Sequence, residues 1–186
     1  MALAPDSLAV QLQMAAQACA AVRRGAALPA AIAQATRQAV AGTRGAVQDI
    51  AYRSMRWRGR ADALLSRLVE RMPAEPVREL LVCVLAQLND PQPPYPAHTL
   101  VDQAVEAAPA RTRGLVNAVL RRYLREAASL GQALARDVVA RENYPRWWID
   151  EVRRSRPKHW QAILAAGQQP GPMTLRVNRR RARRSE

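Results

Sequence analysis

The sequence predicts an all-α protein: a bundle of seven to eight short helices, followed from about residue 141 by the start of a second, α+β unit. Three observations carry this. Apolar residues recur at helical spacing through the first 140 residues, and nowhere there do they alternate as in a strand. Alanine abounds while phenylalanine is absent, which favours closely packed helices over sheets. The third is the stretch Pro76 to Leu88. Its residues Val77, Leu80, Leu81, Val84, Leu85 and Leu88 follow the i, i+3, i+4, i+7 ladder, and Val82, Cys83 and Ala86 widen that stripe nearly all the way round. A helix with so little polar surface is buried on several sides, so this one is expected at the centre of the bundle. At thirteen residues, two of them charged, it is too short for the roughly 20 apolar residues of a membrane span.

The other elements follow in order. Asp6 or Ser7 can cap a first helix carrying Leu8, Leu12, Ala15, Ala16, Cys19 and Val22, with Arg23 and Arg24 in its last turn and Gly25 ending it. A second helix is expected from Leu28 to Val40. Thr43 is expected to cap a third, with Val47, Ile50, Ser54 and Trp57 on one face and Arg53, Arg56 and Arg60 on another. Gly59 marks a break or a close approach. A fourth helix points Leu64, Leu65, Leu68, Val69 and Met72 inward. Beyond the central helix, the proline run Asp90–Pro96 stops the chain from continuing helically. Helices are then expected over Thr99–Ala108, over Thr112–Leu124 with Leu115, Val116, Val119, Leu120 and Tyr123 inward, and over Leu130–Arg141. After Asn143 the texture changes. An aromatic cluster, Tyr144-Pro145-Arg146-Trp147-Trp148, opens one short helix, and a second covers about Pro157–Ala166. Met173, Leu175 and Val177 then alternate with polar residues as in a strand.

The net charge of +14 in 186 residues is the strongest global signal. It argues for a polyanionic partner, for which nucleic acid is the default. Residues 1–140 hold 17 basic and 11 acidic groups, whereas residues 141–186 hold 12 and 4. Arg53, Arg56 and Arg60, spaced i, i+3, i+7, are candidate RNA contacts. Trp57 stands among them, and an aromatic amid arginines can stack on an unpaired base. Arg23, Arg24, Arg121 and Arg122, at or near the ends of other helices, and Arg44 complete the candidate set. Cys19 and Cys83 lie on apolar stripes and read as buried thiols. His98 and His159 are far apart, so no metal is expected. No charged leader with an apolar stretch and cleavage site opens the chain, so a cytoplasmic protein with no membrane partner is expected.

Three stretches resemble a known family when taken together. Thr43-Arg44-Gly45-Ala46-Val47-Gln48-Asp49-Ile50 with Arg53 and Arg56, the central helix, and Gly114-Leu115-Val116-Asn117-Ala118-Val119-Leu120-Arg121 resemble, in order and spacing, a NusB-like RNA-binding domain. Tyr144-Pro145 with Trp147 and Trp148, then Pro172 to Asn178, is similar to the segment that follows this domain in the RsmB (Sun/Fmu) family of ribosomal RNA cytosine-C5 methyltransferases. The resemblance implies residues 1–140 as a NusB-like RNA-binding domain and 141–186 as a linker and the first elements of a methyltransferase subdomain. It implies ribosomal RNA and a catalytic methyltransferase domain as partners. It also implies S-adenosylmethionine as the cofactor of the full-length family member, with one cysteine attacking C6 of cytosine and another helping to remove the C5 proton. None of that machinery is visible in this chain: it has no glycine-rich loop after a strand and no proline-cysteine motif. No cofactor or catalytic residue is therefore expected here, and the chain alone is expected to be inert. A stand-alone antitermination factor of the NusB type is the competing reading, opposed by residues 141–186. A DNA-binding helical protein is a third, opposed by the lack of a helix-turn-helix signature.

Overall fold

The structure, a computed structural model, describes residues 3–169 together with Gly171, 176–178 and 180–181. These form ten α-helices, one 3-10 turn and no strand. The helices are α1 (Leu8–Arg23), α2 (Leu28–Ala35), α3 (Thr43–Arg56), α4 (Arg58–Leu68), α5 (Val77–Asn89), α6 (Ala97–Ala107), α7 (Arg113–Leu134), α8 (Val138–Glu142), α9 (Arg146–Ser155) and α10 (Trp160–Gln168).

The hub is α5, as its composition predicts. It packs against α1, α3, α4, α6 and α7, and Val77 and every residue from Glu79 to Gln87 are buried. Leu12, Ile50, Leu65, Leu100 and Leu120 close around it in one continuous core. Each fully buried leucine or isoleucine contributes about 1.5–3 kcal/mol relative to leaving it in water. Two polar side chains of α5 are nevertheless inside. Gln87 donates to the Ile50 carbonyl at 3.1 Å and to Ser54 Oγ at 3.2 Å, joining α5 to α3. Glu79 is paired with arginines described below.

Several boundaries differ from the sequence expectation. Ser7, rather than Asp6, caps α1 by accepting the Val10 N–H. Beyond the end of α1, Gly25 takes the left-handed region (φ 101°) that favours glycine. α2 stops at Ala35 and not Val40, because the Thr36 hydroxyl donates to the Ile32 carbonyl at 2.8 Å and the chain turns there. Thr43 is the first residue of α3 and not its cap. Gly42 (φ 88°) holds the cap position, and the buried Thr43 hydroxyl has no partner among the described residues. α4 ends at Leu68, which leaves Met72 exposed. The expected helices over Thr112–Leu124 and Leu130–Arg141 are instead one long α7 and a short α8. Of the five residues between, Arg125-Glu126-Ala127-Ala128 are strong helix formers and Ser129 is no breaker. Leu115 sits off the inward stripe of α7 and is exposed.

α8, α9 and α10 surround a small second core of Ile149, Val152 and Leu164, with Val138, Val139, Tyr144 and Trp160 packed on it. This unit is fastened to the bundle through α4. Asn143, left-handed at φ 58°, ends α8, and its Oδ1 accepts the Arg60 backbone N–H at 2.8 Å. Gly59 permits the approach: a Cβ there would stand 2.6 Å from the Val139 carbonyl oxygen and 2.9 Å from Asn143 Cα. Of the expected strand, Met173 and Leu175 lie outside the described residues, and Arg176–Asn178 have no regular secondary structure.

Candidate nucleic-acid interface

The arginines chosen from sequence divide into those the fold uses and those it leaves outside. Arg23 belongs to the first group. At the N-terminal end of α5 the Glu79 carboxylate is fully buried and meets Arg23 Nε and, at 3.3 Å, Arg58 Nη2. Asp62 adds a second carboxylate, 2.7 Å from Arg23 and 3.6 Å from Arg58. This network ties α1 and α4 to α5. Burial opposes the charge on Arg23, but the hydrogen bonds and charges of Asp62 and Glu79 outweigh it and raise its pKa. A buried carboxylate without such partners would be strongly destabilising. Arg24, one residue on, is exposed and pairs with Glu75.

Arg53 and Arg60 gather at the other end of α5, about 15 Å from Glu79 at 1.5 Å per residue. Arg53 contacts Asp49 and Asp90, each at 2.8 Å, and donates to the Gln92 carbonyl at 3.2 Å. Burial again opposes its charge, and the bonds to Asp90 and Asp49 again prevail. Arg60 donates to Asn89 Oδ1 at 2.9 Å, and its Nη2 lies 3.4 Å from where a Cβ on Gly131 would stand. It therefore bridges α4, α5 and α7. The three arginines do not share one helical face. Trp57 (φ −98°, ψ 12°) breaks the chain between α3 and α4, so Arg60 rides on a different helix from Arg53 and Arg56. Trp57 itself is half-buried against the core.

The rest lie at the surface. Arg44, in the first turn of α3, and Arg56, at its end, meet no carboxylate among the described residues; Arg44 is exposed and Arg56 half-exposed. On α7, Arg121 donates to Asn117 Oδ1 at 2.8 Å, and Arg122 reaches Glu126 at 3.1 Å and the Leu68 carbonyl at 3.2 Å. Sequence reasoning did not single out Arg136, Arg141, Arg146 and Arg153, which border one cleft beside Trp160. The available signal was the charge density after residue 140. Their convergence depends on two turns, at 135–137 and 143–145, that no periodicity announces.

Among the described residues no three His, Cys, Asp or Glu side chains stand together as a metal site. Cys19 and Cys83 are free and buried. The hydrogen bond with Cys19, together with complete burial, holds Cys83 well above the usual thiol range, so it stays a thiol. No helix among the described residues is long and apolar enough to cross a membrane.

A bundle organised on one buried helix, with arginines at both of its ends, is the setting in which the comparisons fall. The NusB family model matches residues 9–125, and the chain belongs to that family. The model described as the Methyltr_RsmF/B-like, ferredoxin-like domain matches residues 144–186. Among curated relatives, the ribosomal RNA small subunit methyltransferase B of Pseudomonas putida is 38% identical over 144 residues, covering 74% of this chain and 33% of the relative. The protein of the same name from Pseudomonas syringae pv. tomato is 36% identical over 150 residues, covering 77% and 33%. That from Vibrio vulnificus is 31% identical over 164 residues, covering 84% and 38%. The chain thus spans about a third of the length of the curated relatives it matches. The family resemblance carried by the sequence motifs holds in both of its parts.

Proposed function

We propose that this chain is the RNA-binding, substrate-targeting portion of an S-adenosylmethionine-dependent small-subunit ribosomal RNA (cytosine-C5) methyltransferase. In this reading residues 1–140 are the RNA-binding helical domain, and 141–186 form the linker and first elements of the methyltransferase's N-terminal subdomain. The partners are ribosomal RNA and the catalytic methyltransferase domain, and the place of action is the cytoplasm. The observation that supports it best is order along the chain: a NusB match over residues 9–125 followed directly by an RsmF/B-type match over 144–186. The exposed Arg44 and half-exposed Arg56, which meet no carboxylate among the described residues, and the surface arginines Arg121 and Arg122 of α7 are the bundle residues best placed to meet phosphates. Arg23, Arg53 and Arg60 support them from within, because they are half-buried and their guanidiniums hold groups of neighbouring elements. Cofactor and chemistry belong to the catalytic domain, since Cys19 and Cys83 are enclosed by the bundle.

Two titrations test this. Small-subunit ribosomal RNA should bind the chain in the presence of excess scrambled RNA, with affinity that falls steeply with salt. Calorimetric titration with S-adenosylmethionine should give no heat. Equal competition by scrambled RNA would contradict the targeting role, and saturable, stoichiometric heat would contradict the division of labour.

A further inference from the structure

We infer that the cleft between α8, α9 and the first turn of α10 is a binding site for a phosphate and adjoining base of single-stranded RNA. This deepens the RNA-binding reading above and rests on it. The cleft encloses about 450 Å³ and is bordered by Arg136, Arg141, Arg146 and Arg153, with Trp160 in its wall. Of its two carboxylates one is paired with an arginine and the other caps a helix through a single oxygen. Asp137 accepts the backbone N–H groups of Val139 at 3.0 Å and Ala140 at 3.2 Å, and Asp150 pairs with Arg146 at 3.1 Å. Arg141 pairs with Glu142 at 2.7 Å. Arg136 and Arg153 remain: both are exposed, and neither touches a carboxylate among the described residues. The Arg153 guanidinium stands 5.7 Å from the centroid of the Trp160 ring, close enough for the ring to hold it by cation–π attraction.

A bracing role does not account for these arginines. The side chains of Arg141 and Arg146 are 49% and 69% exposed, unlike the enclosed Arg23 and Arg58 of the bundle. With Arg141 and Arg146 paired, Arg136 and Arg153 supply the uncompensated positive charge of the concavity, and the planar fork of a guanidinium matches phosphate oxygens in pairs. With Arg153 over the Trp160 ring, the guanidinium plane is the surface on which an unpaired base can stack. The walls are preorganised, since Ile149, Val152 and Leu164 pack beneath α9 and α10 and Asn143 fastens α8 to α4.

The test uses the full chain, its Arg136→Ala/Arg153→Ala variant, and a control Arg37→Ala/Arg67→Ala variant that removes the same charge from exposed positions elsewhere. Binding of a fluorescein-labelled single-stranded RNA dodecamer, and of the same sequence as a duplex, is read by anisotropy across a salt series. Circular dichroism establishes that each variant keeps its helices. The cleft variant should lose about tenfold in single-strand affinity, with the log–log salt slope flattened by about 1.4 units for two lost contacts. The control should lose distinctly less. Equal losses in the two variants, or tighter binding of the duplex, overturn the cleft while leaving the RNA-binding reading intact. If the unaltered chain binds neither RNA, both fall together.

Discussion

In the bundle, Arg23 and Arg58 turn inward to Glu79 and Asp62, and Arg53 and Arg60 brace the far end of α5. In the unit of α8–α10, Arg136 and Arg153 face an open cleft. The contrast follows from how much core each region has. A large apolar core brings five helices against α5 and encloses the polar atoms between them, so carboxylates and guanidiniums there must satisfy one another. A core of three buried residues encloses almost nothing, so its arginines stay in water and available. The same residue type is a strut in one region and solvent-facing in the other, and burial of its neighbours decides which.

The largest effect that can test this comparison is at Glu79. Glu79→Ala leaves Arg23 and Arg58 without their buried partner, and unfolding stability should fall by about 3–5 kcal/mol, read from the denaturant midpoint. A loss below about 1 kcal/mol would mean that the network is not a strut. Next comes the seam between the regions. Gly59→Ala drives a methyl into the Val139 carbonyl and Asn143. It should cost about 1–3 kcal/mol, and amide exchange should quicken in α8–α10 while α5 stays protected. Uniform quickening would show that the two regions unfold as one.

The surface arginines give a smaller stability effect with a different readout. Arg44→Ala combined with Arg56→Ala should change stability by less than about 0.5 kcal/mol per site and flatten the salt slope of RNA binding by about 1.4 units. An unchanged slope would take α3 out of the contact surface and leave α7 and the α8–α10 unit. The smallest effect lies in α9. The hydrogen bonds from Arg154 and then Ser155 hold Glu151 below the usual glutamate range. A depressed carboxylate stabilises the folded state above its unfolded pKa, and that contribution disappears as pH falls through the folded value. Glu151→Gln should therefore weaken α9 near neutral pH and leave it unchanged in strong acid, measured by exchange of the α9 amides. An equal effect at both pH values would remove the charge from the explanation.

Much of the fold was legible because it rests on local pattern. The 3.6-residue apolar period marked α5 as the hub, Gly25 marked the end of α1, and Gly59 marked a close approach. The errors arose where a tertiary partner decides. Nothing in the i, i+3, i+7 spacing of Arg53, Arg56 and Arg60 reveals the break at Trp57, whereas the continuation of α7 through residue 130 was legible in the helix-forming run Arg125-Glu126-Ala127-Ala128. The candidate site was less legible for the same reason. Arg23 meets Glu79 across 56 positions of sequence and Asp62 across 39. A pairing at that range leaves no periodic trace, so an arginine that braces the core looks the same as one that waits for a phosphate.

The most direct measurement of the division between braced and available arginines is photocrosslinking of the intact chain to small-subunit ribosomal RNA, with the linked peptides mapped by mass spectrometry. Crosslinks should fall in the α8–α10 unit around Arg136, Arg153 and Trp160 and on the exposed arginines of α3 and α7. The peptides carrying Arg23 and Arg58 should stay clear. Crosslinks concentrated on Arg23 and Arg58, or confined to the arginine-rich stretch after residue 178, would contradict it.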